Sequence, residues 1–201
     1  MDARQRRTRE RLHTTVLELA DARPVDELSV TQVAAAAGVH RSTFYEHAAS
    51  PVALLQQALV GELDALRDEL LADTTTDVAQ AVTRTTQAVL DHVERHADIY
   101  RRGLGAGSGA ASLHAMLSGH FLETSRMLSE LARVDVRVPV PGVPDDVVAD
   151  AAARFIADGT VGVIEGWLDS PAPKVDDFMR VYVSLLPAWW PKDLTAATPT
   201  A

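Results

Sequence analysis

The chain has 201 residues, 47% of them apolar and 23% charged, with a net charge of −9 and no cysteine. That length buries a sizeable core in one large domain or two small ones. The missing cysteines exclude a disulfide scaffold, thiolate nucleophiles, cysteine-type zinc sites and iron–sulfur clusters. No segment approaches the ~20 apolar residues of a membrane span, because even Thr160–Leu168 is interrupted by Gly162, Glu165 and Gly166. The N-terminal arginines precede no apolar segment, so a secretory signal is not expected. A cytoplasmic protein with no membrane partner is the expectation.

The charge is unevenly divided. Residues 1–50 carry seven Arg against seven acids, whereas residues 51–201 carry twelve Lys or Arg against twenty-one acids. Five arginines (4, 6, 7, 9 and 11) face only Asp2 and Glu10 in the first eleven residues. An acidic body with one basic end can still hold a polyanion at that end.

Alanine and leucine dominate, and no period-2 alternation persists, so an all-α fold is predicted. A first helix is expected from about Arg4 to Ala22, with Leu12, Val16, Leu19 and Ala20 on one face, ended by Pro24. Ser29 and Gln32 form a capping box for a short second helix, with Leu28 and Val33 as its hydrophobic staple. Gly38 stops that helix where a left-handed residue is needed. A third short helix covers Arg41 to His47. Ser50-Pro51 then opens a fourth, to about Leu71.

Further helices are expected at about 76–96, 98–104, 110–133, 144–168 and 174–190. A glycine-rich break at Gly103–Gly109 and an extended proline-containing loop from Val134 to Pro144 separate some of them. The glycine-rich break has neither the Lys-Ser/Thr ending nor the preceding strand of a phosphate loop. The expected organisation is a three-helix head at 1–50, a helical body at 51–193 and a disordered tail at 194–201.

The segment Thr31-Gln-Val-Ala-Ala-Ala-Ala-Gly-Val-His-Arg-Ser-Thr-Phe-Tyr-Glu-His47 reads as a helix-turn-helix. Val33, Ala37, Val39 and Phe44 face inward, and Ala34 is small where the helices cross. Arg41, Ser42, Thr43, Tyr45 and His47 are left outside, where they can reach phosphates and base edges in a major groove. An ordinary αα-hairpin would use the same alanines and glycine. The arginines before it are either solvated decoration or phosphate ligands.

This head resembles that of the TetR family of bacterial transcriptional regulators. The likeness lies in Leu28-Ser-Val-Thr-Gln-Val-Ala-Ala-Ala-Ala-Gly-Val39, in Ser42-Thr-Phe-Tyr45, and in a Ser50-led helix carrying Leu54-Leu55 after an arginine-rich first helix. The resemblance implies an N-terminal DNA-binding domain, a C-terminal effector-binding and dimerisation domain, and a homodimer joined through its last two helices. It also implies repression of a palindromic operator in double-stranded DNA, relieved by a small-molecule effector. The DNA-contacting candidates are Arg6, Arg7, Thr31, His40, Arg41, Ser42, Thr43, Tyr45 and His47.

Four positions depart from the family pattern. Ala48 stands in place of an aromatic, Pro51 in place of a phosphate-gripping lysine, His40 in place of a Ser or Thr cap, and Arg41 in place of a small residue or lysine. The first lysine of the chain is Lys174.

In the body, Gly159, Gly162 and Gly166 recur along one helix, each at a cost of ~1 kcal/mol relative to alanine. Close approach of another helix, within the chain or across a dimer, would account for them. The dimer candidates are these glycines with Phe178, Tyr182 and Leu185. Tyr100, Met116, His120, Phe121 and Trp167 are the effector candidates, each more readily read as plain core. His92 and His96, one turn apart, form a competent imidazole pair, but a third ligand such as Asp91, His114 or His120 would have to arrive through folding. Two surface histidines without a partner are the commoner outcome, so neither a metal nor any cofactor is expected. No G-x-S-x-G, P-loop or H-E-x-x-H pattern occurs, and Asp145-Asp146 and Asp176-Asp177 stand at expected helix starts, so an enzyme is not expected. The competing reading is a helical small-molecule-binding or interaction protein whose head does not grip DNA.

Overall fold

A computed structural model describes residues 3–72, 77–105, 113–130, 140–171 and 173–190. The expected tail at 194–201 lies outside the described residues, as do most of the glycine-rich break and most of the proline-containing loop. Among the described residues the protein is all-α, with nine helices: α1 (Ala3–Ala22), α2 (Val30–Ala36), α3 (Arg41–His47), α4 (Pro51–Ala72), α5 (Val78–Arg95), α6 (Ala97–Leu104), α7 (Leu113–Glu130), α8 (Asp145–Leu168) and α9 (Val175–Leu185). A single 3-10 turn, Val25–Glu27, fills the α1–α2 connection after Pro24.

The helices gather into two compact units. One comprises the chain up to Glu62 together with His96–Leu113, and the other comprises Leu63–Arg95 and the chain from His114 onward. The first unit thus extends past Ser50, through the first half of α4, and recruits α6. Leu54, Leu55 and Leu59 of α4 and Ile99 and Tyr100 of α6 are all buried, so both helices are as much part of its core as Leu12 and Val16 of α1.

The local signals in the head act as their chemistry dictates. Gln32 N donates to Ser29 Oγ at 3.2 Å and Ser29 N to Gln32 Oε1 at 2.9 Å, which closes the capping box. Gly38 has φ +63°, the left-handed conformation that ends α2. Ser50 Oγ accepts from Ala53 N at 3.1 Å at the start of α4. His40 occupies the N-cap of α3 but makes no side-chain capping bond.

Two arginines close helix ends at long range. Arg11 donates to the Ala37 carbonyl and, at 3.2 Å, to the Gly38 carbonyl, satisfying the end of α2. Arg102 of α6 does the same for α1, donating to the Ala20 carbonyl and to the Asp21 carbonyl at 2.8 Å. The last turn of α1 has no basic residue of its own, so α6 supplies the cation its dipole favours.

In the second unit, α9 packs on both α5 and α8. Trp167 meets Phe178 edge to face with ring centroids 5.6 Å apart, and Phe178 stacks on Tyr182 at 5.4 Å. Helix α9 stops at Leu185, short of the expected Trp190. Leu186 precedes Pro187 and adopts φ −62°, ψ 134°, the extended geometry that a following proline favours.

Candidate nucleic-acid interface and effector cavity

Phe44, 0% exposed, fixes α3 in the head, and the residues around it point the other way. Arg41, Ser42 and Tyr45 are exposed, as are His40 and Thr31, while Thr43 and His47 are half-buried. Tyr45 is 53% exposed and rests edge to face on Phe44, with centroids 5.8 Å apart. Its hydroxyl is therefore held outward on a fixed ring.

Arg6, Arg7 and Arg41 are also exposed and make no ion pair among the described residues. An open groove runs between α1 and α3, lined by Arg4, Arg7 and Thr8 on one side and by His40, Thr43, Glu46 and His47 on the other. Arg11 lines it too, tied to the end of α2. Of the arginine run, then, Arg11 serves the fold, and Arg9 donates to His13 Nε2 at 3.5 Å. Ala48 is buried beside Pro51, so neither offers a contact surface.

The second unit contains a cavity with about 80 Å³ of space open to a water-sized solute. Its wall is mainly apolar, with Leu63, Val89, Leu128, Ile156 and Ile164 contributed by α4, α5, α7 and α8. Among the effector candidates, His120 and Phe121 line it. Tyr100 is buried in the other unit, Met116 is half-buried on α7 outside the lining, and Trp167 spends its indole N–H on the Lys174 carbonyl at 3.2 Å. Phe178 and Tyr182, expected at a dimer face, are turned inward and line the cavity instead.

Arg67, Thr160 and Trp190 line it as well, and sequence reasoning missed them. The signal for Arg67 was present, since Leu63, Arg67 and Leu70 recur at i, i+4, i+7 along the inward stripe of α4. Arg67 Nη2 donates to Asp64 Oδ1 at 2.9 Å, and His120 Nδ1 lies 3.3 Å from the same oxygen. Burial, reinforced by the Arg67 cation and opposed by Asp64, holds the His120 imidazole below its ordinary value. Burial raises the Tyr182 phenol, opposed by its hydrogen bond with Thr160.

His13 of α1 is also held below its ordinary value, by burial and then by Arg9 and His47, with Glu62 opposing. The unfolded chain therefore binds more protons than the folded one below the ordinary value of 6.5. Stability should be complete above that pH, fall as the pH drops through it, and level off below the folded-state pKa values. Thermal melts across this range should show the decline, and His120→Gln should flatten it; an acid-insensitive melting temperature would contradict the assignment.

The remaining dimer candidates are exposed. Gly159, Gly162 and Gly166 of α8 are exposed, and a Cβ placed on any of them meets nothing within 4 Å. Phe155, one turn before Gly159, is 68% exposed, and Val181 and Leu185 of α9 are 52% and 62% exposed. On the histidine pair, His92 is buried and His96 Nε2 lies 3.1 Å from Glu62 Oε2.

No sequence-family model and no curated protein matches the chain. Solved structures do. A TetR-family regulator from Streptomyces coelicolor superposes with a TM-score of 0.60 at 21% identity, over 92% of this chain and 82% of its own. The chain has the fold of the TetR-family regulators. FadR from Thermus thermophilus, a TetR-family repressor solved with lauroyl-CoA, gives a TM-score of 0.60 at 20% identity over 88% of this chain and 92% of its own. RolR in complex with resorcinol gives 0.55 at 18% identity over 91% and 89%. In TetR-fold terms, α2 and α3 are the helix-turn-helix, and α8 and α9 are the last two helices. Among the described residues no helix is long and apolar enough to cross a membrane.

Proposed function

We propose that the protein is a ligand-responsive transcriptional regulator, not an enzyme. A homodimer reads a palindromic operator with its two heads, represses, and lets go when a small molecule occupies the cavity. The observation that carries this reading is the outward set on the helix-turn-helix: Tyr45 held on Phe44, with Arg41, Arg6 and Arg7 exposed and without ion pairs. An unpaired cation at the N-terminal turn of a helix opposes the helix dipole, and a phosphate offsets that cost. Arg6, Arg7 and His40 are assigned to the backbone, with Thr31, Thr43 and His47 at the groove margin. Arg41 at the start of α3 is assigned to phosphate, and Ser42 and Tyr45 to the major groove.

The dimer is assigned to α8 and α9. Three exposed glycines at which a Cβ would meet nothing within 4 Å, on the same face of α8 as Phe155, together with the exposed Val181 and Leu185 of α9, suit the close, self-complementary packing of a second copy. The effector reading has support from the lauroyl-CoA and resorcinol carried by two proteins of the same fold. A head that does not grip DNA is the rival reading, favoured by the buried Pro51 at the start of α4 and by a chain with no lysine before Lys174.

Salt-titrated selection from a randomised duplex pool separates the two. The regulator should enrich a palindrome with half-sites about 34–36 Å apart or a multiple of that spacing, and Tyr45→Ala should abolish the enrichment. Arg7→Ala should weaken all sequences alike and flatten the salt dependence by about one phosphate's slope. A folded dimer that enriches nothing at low salt would reject DNA reading.

A further inference from the structure

We infer that the cavity takes a compact, uncharged molecule of about one ring whose oxygen accepts hydrogen bonds, of the monocyclic phenol or ketone class. This rests on reading the cavity as the effector site. The first argument is size. About 80 Å³ is less than the ~150 Å³ of an engineered apolar cavity that binds benzene, so one ring already needs the walls to give a little. A long acyl chain would need most of the surrounding core to move.

The second argument is an inventory of hydrogen bonds. Of the six hydroxyl side chains on the wall, all but Thr85 are spent internally. Thr86 donates to the Val82 carbonyl, Thr124 to that of His120 and Ser125 to that of Phe121, all at 2.9 Å. Thr160 donates to the Ile156 carbonyl at 2.6 Å, and this leaves the Tyr182 hydroxyl to donate to Thr160, 2.9 Å away.

Two nitrogens on cavity-lining residues remain. Arg67 Nε and Trp190 Nε1 are buried with no hydrogen-bond partner among the described residues. Arg67 Nε and Trp190 Nε1 can only donate. Buried donors are paired in the great majority of folded proteins, so two unspent N–H groups at one cavity call for an acceptor. A ligand oxygen is the missing partner.

Charge is the third argument. The Arg67 guanidinium is already matched by Asp64, and His120 beside it is neutral, so the polar end of the cavity carries no net positive charge. A carboxylate there would stand as an unbalanced anion against apolar walls. An uncharged oxygen meets the donors without that cost.

Calorimetric titration of the full chain with phenol, cyclohexanone, toluene, benzoate and decanoate tests the assignment. Phenol or cyclohexanone should bind roughly tenfold or more tightly than toluene and benzoate. Trp190→Phe and, separately, Arg67→Met should each lower phenol affinity and leave toluene unchanged, so a defect in folding is told apart from loss of a donor. Equal affinity for toluene and phenol, preference for benzoate or decanoate, or no binding by any probe would each overturn the inference.

Operator binding, measured in parallel, keeps the two levels apart. DNA released by decanoate and not by phenol would retain the regulator and reject the ligand class. Phenol binding by a protein that selects no DNA would retain the ligand class and reject the regulator.

Discussion

Phe44→Ala is expected to abolish operator binding while leaving the protein dimeric and its cavity intact. Phe44 is 0% exposed and is the buried anchor of a seven-residue helix. Such a helix is far too short to persist alone, so α3 exists only because this ring is packed. Truncating a buried phenylalanine costs ~3–5 kcal/mol, against a whole-domain stability of about 5–15 kcal/mol. The loss falls on the first unit, because α8, α9 and the cavity belong to the second.

The same ring supports Tyr45 edge to face, so the hydroxyl assigned to the groove loses its rest as well. Hydrogen exchange should show α2 and α3 losing protection while α8 keeps it, with DNA affinity down by orders of magnitude. A variant that binds operator as the parent does would show that α3 does not read DNA.

Much of the head was legible because its signals are local. The capping box, the glycine stop and the Ser50 cap each involve residues within a few positions of one another, and each forms as its residue types dictate. The arginine run shows where local reading ends. Arg11 and Arg102 each pair with carbonyls far away in sequence, at the ends of α2 and α1, and nothing in their neighbourhoods announces it.

The cavity was half legible for the same reason. His120 and Phe121 stood among the effector candidates and do line it, but which side chains converge depends on how four helices meet. Phe178 and Tyr182 read as an apolar face for a second copy, yet that face is consumed within the protomer. Arg67 was passed over because a cation on an apolar stripe usually bends toward solvent. Here Asp64 holds it at the wall.

Phe155→Glu combined with Leu185→Glu is expected to yield a folded monomer that no longer binds a palindromic operator. Both side chains are more than 60% exposed in the protomer, so replacing them removes no packing from its own core. At a self-complementary face each change appears twice, which places four carboxylates against apolar surface and against one another. Burying unpaired charges costs several kcal/mol each. Light scattering should report one protomer's mass, and a dimer that survives both changes would place the interface elsewhere.

The glycines allow a sharper test of the same face. A Cβ at Gly162 meets nothing within 4 Å, so Gly162→Ala should favour the isolated helix by ~1 kcal/mol. If the glycine exists for close approach of a second α8, that gain in the protomer must come with weaker dimerisation. The protein would then melt at a lower temperature at low concentration, where association limits stability, even though its helix has improved. A site used only by its own chain could not show opposite signs in the two measurements.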